Sequence, residues 1–376
     1  MKKTFLLAAA AALLLASCGK NEVFVPAQED IPIGFNNYAP RSLTKADGSL
    51  VDSGALNEGA RIGVYGYSTE AVNLATGFTT EPVFMTDAVV DYGTNTSATA
   101  TASDPVRYWP KTITNLLSFF AYYPQESTNI SGKPTASTAG MGTFTFTQAG
   151  AVADMEDFMI SNVANDQYYW KTGEPENASG VKATEGVVPL VFNHMLTKVN
   201  FKFCTAADYS PVTITVNSAT IAKETLSETV ITPSFTAGTA GTLGTTSFSY
   251  SSSTAYDADI TIPFAATGQL LNTTATLNNG TAGTGTDVTN FLFVPQTLSD
   301  DVKVTINYTI NQNGTETNNT ATVQLNQITN ASSVAITQWG INNFITYTFQ
   351  IGLKNILFTG TVDSWAPEIA GSYTIQ

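Results

Sequence analysis

The chain has 376 residues and a formal net charge of −14, from 30 acidic and 16 basic side chains. Charged residues are only 12% of the sequence and form no basic stripe, which argues against nucleic acid as a partner. Thr, Ser, Asn and Gly fill the polar positions instead, a composition typical of strands joined by turns. The composition therefore predicts an exported, all-β protein, with a length that suits two domains.

The first residues predict export. Two lysines precede an apolar run over residues 5–15, which is too short for a comfortable membrane span. Residues 15–18 read LASC, which resembles the lipobox of bacterial lipoprotein precursors. That resemblance implies a signal peptide over residues 1–17 and a diacylated, palmitate-bearing Cys18 that anchors the chain to the outer membrane.

A polar tether over residues 18–30 leads into the first predicted strand. Ile31, Ile33 and Phe35 recur with a period of two, the pattern of a strand with one buried face. Pro32 has no amide donor, so this strand is expected to lie at a sheet edge or to begin there. Further along, residues 115–124 are apolar on both faces and predict a central, fully covered strand. Other strands of this block are predicted at residues 61–67, 82–85, 143–147 and 157–161.

A polar stretch over residues 172–186 predicts a connection between domains, and a second β-rich block begins at Val187. Val199, Phe201 and Phe203 form a clean alternation there. Gly/Thr/Ser-rich spacers at residues 236–246 and 278–286 are interpreted as long surface loops. Other strands of this block are predicted at residues 212–216, 260–264, 291–295 and 302–308.

The number and spacing of these strands predict two β-sandwiches in tandem and not one large barrel. The first sandwich is expected over residues 31–186 and the second over residues 187–376. Helical periodicity is weak throughout, and no short repeat indicates a propeller or solenoid.

Few residues point to catalysis or to a metal. The single histidine, His194, lies in an apolar strand and is interpreted as a structural residue. Cys204 is expected to be a buried thiol. The acidic run over residues 154–157 is either a set of oxygen ligands for calcium or, as we favour, a solvated loop. We expect no cofactor, no metal and no enzymatic activity; a surface hydrolase is the weakest alternative.

One aromatic cluster is a candidate ligand surface. Tyr168, Tyr169 and Trp170 could stack on sugar rings if they face solvent. The favoured interpretation is that they pack into their own core at the edge of a strand.

Several of these segments, in this order, resemble the fimbrillin family, the type V pilins and related surface lipoproteins of the Bacteroidia. The lipobox, the tether and residues 31–35 are similar to the beginning of that family. The resemblance spans nearly the full chain in short pieces and implies two transthyretin-like sandwiches with a role in fimbrial assembly or adhesion. The other matching segments are residues 61–67, 117–124, 157–159, 191–199 and 347–349, with Trp365.

The resemblance also implies a route of maturation. In that family an arginine-specific protease removes the segment that contains the first strand. By analogy, Arg41 is the expected cleavage site and Arg61 the second choice. The alternating pattern of the C-terminus makes it a candidate donor strand for a neighbouring subunit; its residues are Ile369, Gly371, Tyr373 and Ile375.

We therefore predict a structural subunit of a cell-surface fimbria, exported as an outer-membrane lipoprotein precursor. Its expected partners are copies of itself or other fimbrial subunits, together with host or bacterial surface glycans or proteins. The alternative is a lipid-anchored glycan-binding protein that does not polymerise. The sequence leaves open whether the subunit forms the shaft, the tip or the anchor.

Overall fold

The computed structural model describes the following residues: 29–36, 56, 59–68, 84–92, 101–135, 141–171, 176–264, 268–274, 276–277, 291–353 and 356–364. In these ranges the protein is all-β, as predicted, with two 3₁₀ turns at Val152–Asp154 and Leu325–Gln327. No helix of the described ranges is long and apolar enough to cross a membrane. The predicted signal peptide, Cys18, Arg41, Trp365 and the strand over residues 369–375 fall outside the described residues.

The strands of the first half are β1 (Gly34–Phe35), β2 (Arg61–Ser68), β3 (Met85–Asp91), β4 (Thr101–Ala102), β5 (Leu117–Tyr123), β6 (Ile130–Ser131), β7 (Phe144–Thr147), β8 (Met159–Ser161), β9 (Ala164–Tyr168) and β10 (Val181–Lys182). The second half begins with β11 (Val187–Val188) and β12 (Phe192–His194).

The other strands of the second half are β13 (Thr197–Thr205), β14 (Thr213–Ile221), β15 (Leu226–Thr236), β16 (Thr245–Ala255), β17 (Ile260–Ile262), β18 (Gln269–Leu270), β19 (Thr276–Leu277), β20 (Phe291–Phe293), β21 (Gln296–Thr297), β22 (Lys303–Gln312), β23 (Thr315–Gln324), β24 (Gln338–Trp339), β25 (Asn343–Ile351) and β26 (Ile356–Ser364).

The central sheet of the first half has the order β10-β9-β5-β2-β3, with β8 beside β5 and β12 beside β8. Strand β5 lies inside this sheet and its first six residues are buried, so the predicted central, fully covered strand is confirmed. Phe119 and Ala121 contribute to one apolar cluster, whereas Phe120 and Tyr122 contribute to another. This division follows from the period of two along a strand, which sends successive side chains to opposite faces.

The second half is built on two larger sheets. One has the order β19-β13-β25-β26 with β20 beside β13, and the other has the order β17-β14-β22-β23 with β18 beside β14. Aromatic rings fill the core: Phe201 stacks on Tyr347 with centroids 5.8 Å apart, and Phe293 stacks on Trp339 at 4.6 Å. The indole of Trp339 donates to the Tyr347 hydroxyl at 2.9 Å, so the buried polar atoms of both rings are satisfied.

The two halves share strands across the predicted boundary at residue 186. Strands β11 and β12, which follow that boundary, pair with β1 and β8 of the first half. A four-stranded sheet of order β16-β15-β7-β6 likewise combines strands from both halves. Strands that precede residue 186 therefore pair with strands that follow it in more than one sheet. The domain boundaries stay a prediction.

Several predicted strands are displaced or incomplete. The strand predicted at residues 82–85 begins at Met85 and runs to Asp91, and the predicted connection over residues 172–186 contains the short strand β10. The interpretation of residues 236–246 as a loop is right only for its middle, because β15 ends at Thr236 and β16 begins at Thr245. Four long strands, β15, β16, β23 and β26, do not correspond to any predicted strand.

Candidate functional site: the seat of the first strand

The segment over residues 31–35, which we call the first strand, is inserted between two other parts of the chain. Its regular part, β1, pairs in parallel with β11 on one side and antiparallel with β4 on the other. Pro32 precedes the regular strand and forms an isolated antiparallel bridge with Tyr108. The strand therefore begins after Pro32, as one of the two predicted outcomes allowed, and it lies in the middle of its small sheet.

Backbone hydrogen bonds hold the first strand on both sides. Toward β4, the amide of Ile33 donates to the carbonyl of Arg107 at 2.8 Å, and the amide of Trp109 donates to the carbonyl of Ile31 at 2.9 Å. Toward β11, the amides of Gly34 and Asn36 donate to the carbonyls of Gly186 and Val188, respectively, at 3.1 and 3.2 Å. Without this segment, both flanking backbones would lose their partners.

The side chains of the first strand enter an apolar core. Ile33 and Phe35 are fully buried, and the Phe35 ring meets the edge of Phe119 with centroids 5.4 Å apart. Burying one such side chain contributes roughly 1.5–3 kcal/mol. The Tyr92 hydroxyl lies 3.4 Å from the carbonyl oxygen of Phe35, and burial raises the pKa of this phenol, which keeps it protonated as a donor. We call the space that residues 31–35 occupy the groove.

One glycine lets the groove close around the strand. Gly186 has φ of +79°, a left-handed conformation that residues with a Cβ rarely adopt. A Cβ at this position would lie 3.3 Å from the indole nitrogen of Trp109 and 3.5 Å from Ile31. The Gly186 carbonyl also accepts a bond of 2.9 Å from that indole. The sharp turn at Gly186 thus places β11 against the first strand.

The entrance to the first strand is charged and exposed. Asp30 forms an ion pair with Lys111, and Glu29 forms one with Lys171, each at 2.9 Å. Exposed pairs of this kind contribute about 0–1 kcal/mol. The strand is therefore held by its ladder and its two buried side chains, and little by its charged end.

The second candidate for proteolysis, Arg61, is the first residue of β2. Its guanidinium bonds the carboxylates of Asp91, at 2.7 Å, and Glu126. Its backbone pairs with Asp91, and its carbonyl accepts from the amide of Gln125 at 2.9 Å. The peptide bond after Arg61 leads directly into Ile62, which is fully buried.

His194 is buried, as predicted. It is 1% exposed, and its Nδ1 lies 2.9 Å from Oδ2 of Asp157, which is itself fully buried. His194 belongs to β12, whose partner β8 begins two residues after Asp157. The pair therefore joins the segment that leads into β8 to a strand from the second half. Cys204 is also buried, as predicted, and burial raises the pKa of its thiol.

The acidic run over residues 154–157 does not converge on one point. Asp154 is exposed, and Glu156 accepts bonds from the side chains of Ser127 and Asn129. Asp157 faces His194 instead. Within the described ranges, no group of three or more His, Cys, Asp or Glu side chains is arranged to hold a metal ion.

The aromatic cluster does not present three rings to solvent. Tyr168 is 4% exposed, and its hydroxyl accepts a bond from the amide of Asn177 at 3.2 Å. Tyr169 is half-buried, with its ring centroid 6.2 Å from that of Trp109, and Trp170 is half-buried as well. The packing of Tyr168 and Tyr169 agrees with the favoured interpretation, and a ligand-facing role of the cluster stays a prediction.

Comparison with known proteins identifies the family. Residues 44–365 match the family described as fimbrillin-like, and the chain belongs to that family. The predicted resemblance is therefore confirmed. No curated protein matches the sequence.

A solved structure supports the same fold. A fimbrial protein from Bacteroides vulgatus superposes with a TM-score of 0.56 at 18% identity, over 89% of this chain and 99% of that chain. Weaker likenesses include a candidate cell adhesion protein from Bacteroides uniformis, with a TM-score of 0.44 at 14% identity over 89% of this chain and 99% of that one. The tip fimbrial protein Mfa3 from Porphyromonas gingivalis gives 0.38 at 6% identity over 89% and 100%.

Proposed function

We propose that the protein is a structural, non-enzymatic subunit of a cell-surface fimbria that mediates adhesion. In this proposal it is exported as an outer-membrane lipoprotein through Cys18, matured by proteolysis and polymerised by donor-strand exchange. The observation that carries the proposal is the seat of the first strand: a terminal segment, bonded on both sides, with two buried apolar side chains. Membership of the fimbrillin-like family supports it.

The groove has the two properties that strand exchange requires. Loss of residues 31–35 would leave unpaired backbone on β4 and β11, which are ready to bond an incoming strand. It would also empty the sites of Ile33 and Phe35, which an alternating strand can refill. The proposed donor, at the C-terminus of the next subunit, offers Ile369, Gly371, Tyr373 and Ile375 with this period of two.

The geometry around Arg61 supports Arg41 as the cleavage site. A protease binds its substrate as an extended, unpaired segment, whereas Arg61 is bonded within a sheet and is followed by a buried residue. For a protease to bind Arg61, β2 would have to leave its place between β5 and β3. Cleavage after Arg41 would release the first strand and leave β2 in place.

Arg41→Ala is expected to abolish maturation. The chain recovered from the cell surface should then keep its first strand, and SDS-resistant ladders should disappear because the groove stays filled. Intact mass and N-terminal sequencing measure the outcome: the wild-type protein should begin at Ser42. Arg61→Ala is the matched control and should mature normally; a wild-type mature chain that begins at Ile62, or that retains Cys18 in assembled fibres, would overturn this assignment.

Ending the chain before Ala370 is expected to abolish polymerisation. The truncated subunit loses Gly371, Tyr373 and Ile375 of the proposed donor but keeps every residue that the structure describes, so it should remain folded and be processed at Arg41. Gel ladders and electron microscopy of fibres measure the effect, with removal of Gln376 alone as the control. Fibres of normal length from the truncated chain would show that the donor lies elsewhere.

A further inference from the structure

Strand β16 lies at the edge of a sheet that does not contain the first strand. It is the outermost strand of the sheet β16-β15-β7-β6, and it pairs with β15 from Thr245 to Ala255. Among the described residues, no backbone hydrogen bond joins these eleven residues to a strand on their other side. Their outward N–H and C=O groups are therefore available to another strand.

The edge lacks the usual protection. Natural sheets blunt their edges with charged side chains or proline, whereas β16 reads TTSFSYSSSTA and has neither. Its solvent-facing side chains are small hydroxyls that do not obstruct the backbone. These residues are Thr245, Ser247, Ser249, Ser251 and Ser253.

The other face of β16 is fastened to both halves of the molecule. The hydroxyl of Thr246 accepts a bond of 2.8 Å from the amide of Val163. The hydroxyl of Tyr250 accepts a bond from the Gln338 side chain, and Ser252 donates to the carbonyl of Pro295. Because these bonds already order β16, pairing with a partner would cost little further conformational entropy.

We propose that β16 pairs with β16 of a second copy of this chain, antiparallel about a twofold axis near Ser249. An antiparallel strand is its own complement in such a pairing, so one edge serves both partners. The pairing would join two four-stranded sheets into one continuous sheet. This contact is distinct from the groove and does not use the first strand or the donor.

The absence of charged residues on β16 permits a second copy at this edge. Two chains of net charge −14 repel one another, but β16 has no charged residue. The neighbouring Glu228 lies on β15, opposite Ser253. An axis near Ser249 would place the two Glu228 residues at opposite ends of the joined sheet. Two other long edge strands of the described ranges, β23 and β26, carry a charged residue within the strand, Glu316 and Asp363, and suit such pairing less well.

A single edge contact is expected to be weak and to depend on concentration. If the chain polymerises as proposed above, each fibre repeats the edge many times, and multivalency would turn a weak contact into lateral association of fibres. The pairing of two chains does not depend on polymerisation, so it can be tested with unprocessed protein whose groove is still filled.

The test is sedimentation equilibrium of the unprocessed chain with Cys18→Ser, which removes the lipid. We expect a reversible equilibrium between the monomer of 39.8 kDa and a dimer. The double variant Ser247→Lys/Ser249→Lys should raise the dissociation constant at least ~tenfold, because like charges would face one another across the paired edges. The matched control is Thr232→Lys/Ser234→Lys, the residues directly opposite on β15, with the same change in net charge; it should dimerise as the parent does.

Hydrogen exchange gives a second readout that needs no variant. Amides of residues 245–253 that face the edge should become protected as the concentration of the Cys18→Ser chain rises. A chain that stays monomeric, a dimer that survives the β16 substitutions, equal effects of both double variants, or protection elsewhere would each overturn the proposal. Polymerisation of processed protein is assayed separately, so its failure is distinguishable from failure of this contact.

Discussion

Phe35→Ala is expected to destabilise the unprocessed chain by about 3–5 kcal/mol, the usual cost of removing a fully buried phenylalanine ring. Phe35 is wholly inaccessible and packs against the ring of Phe119, so its loss leaves a cavity in the apolar cluster that contains Phe119. Assembled fibres of the same variant should be as stable as wild type, because cleavage after Arg41 would remove Phe35 before assembly. Urea unfolding of the unprocessed chain and thermal dissociation of SDS-resistant polymers measure the two states.

The matched control for Phe35 is its contact partner. Phe119→Ala truncates the same ring pair but stays in the subunit, so it should weaken the unprocessed chain and the fibre alike. Ile33→Val, which costs about 0.5–1.5 kcal/mol, provides a milder variant should the alanine chain fail to reach the surface. Fibres of Phe35→Ala that dissociate as early as those of Phe119→Ala would show that the first strand remains in the assembled subunit.

The strands that could be predicted are those whose buried residues are apolar. β5 is buried on both faces and β13 on nearly all of its length, and their runs of Phe, Tyr, Val and Leu were recognised directly. β22 alternates Val304 and Ile306 with polar residues, which is the clear sign of one buried face. In these segments, local pattern and tertiary position agree.

Three strands that the sequence does not predict, β15, β16 and β23, are rich in small polar residues. The buried positions of β15 are Ser227, Thr229, Ile231 and Pro233, so its alternation contains a single clear apolar residue. Proline is unfavourable inside a sheet, but Pro233 lies beyond Ile231, the last residue that pairs with β7, where β15 has only one neighbour. β16 and β23 are edge strands rich in Ser, Thr and Asn. They are held as strands by long hydrogen-bonded ladders to β15 and β22, respectively.

The candidate site was predicted in part. The alternation of Ile31, Ile33 and Phe35 identified the inserted strand, because one buried face is a local property. Its neighbours were not predictable: residues 101–102 and 187–188 are short, far apart in the chain and weak in pattern. The bend at Gly186 that closes the groove falls at the end of the predicted connection between domains. Glycine in a polar stretch is common in tight bends and in linkers, so the sequence does not distinguish the two.

Asp157→Ala is expected to cost about 3 kcal/mol of folding free energy. Asp157 and His194 are both inaccessible to water, so removal of the carboxylate would deprive a buried imidazole of its bond at Nδ1. The His194→Ala chain should be weakened to a similar degree, and the double variant should cost less than the sum, with a coupling of about 1–3 kcal/mol. Urea unfolding followed by tryptophan fluorescence measures all three chains.

The same three variants test whether the buried pair of Asp157 and His194 fixes the register of β12. His194 pairs with Met159 in the ladder, and a slip of one residue would turn its side chain to the other face of the sheet. The bond to Asp157 therefore fixes the register of β12, the strand by which the second half returns to the first sheet. Asn193→Ala, a half-buried neighbour on the same strand, should cost less than ~1 kcal/mol. Additive losses for Asp157 and His194 would mean that apolar packing alone sets this register.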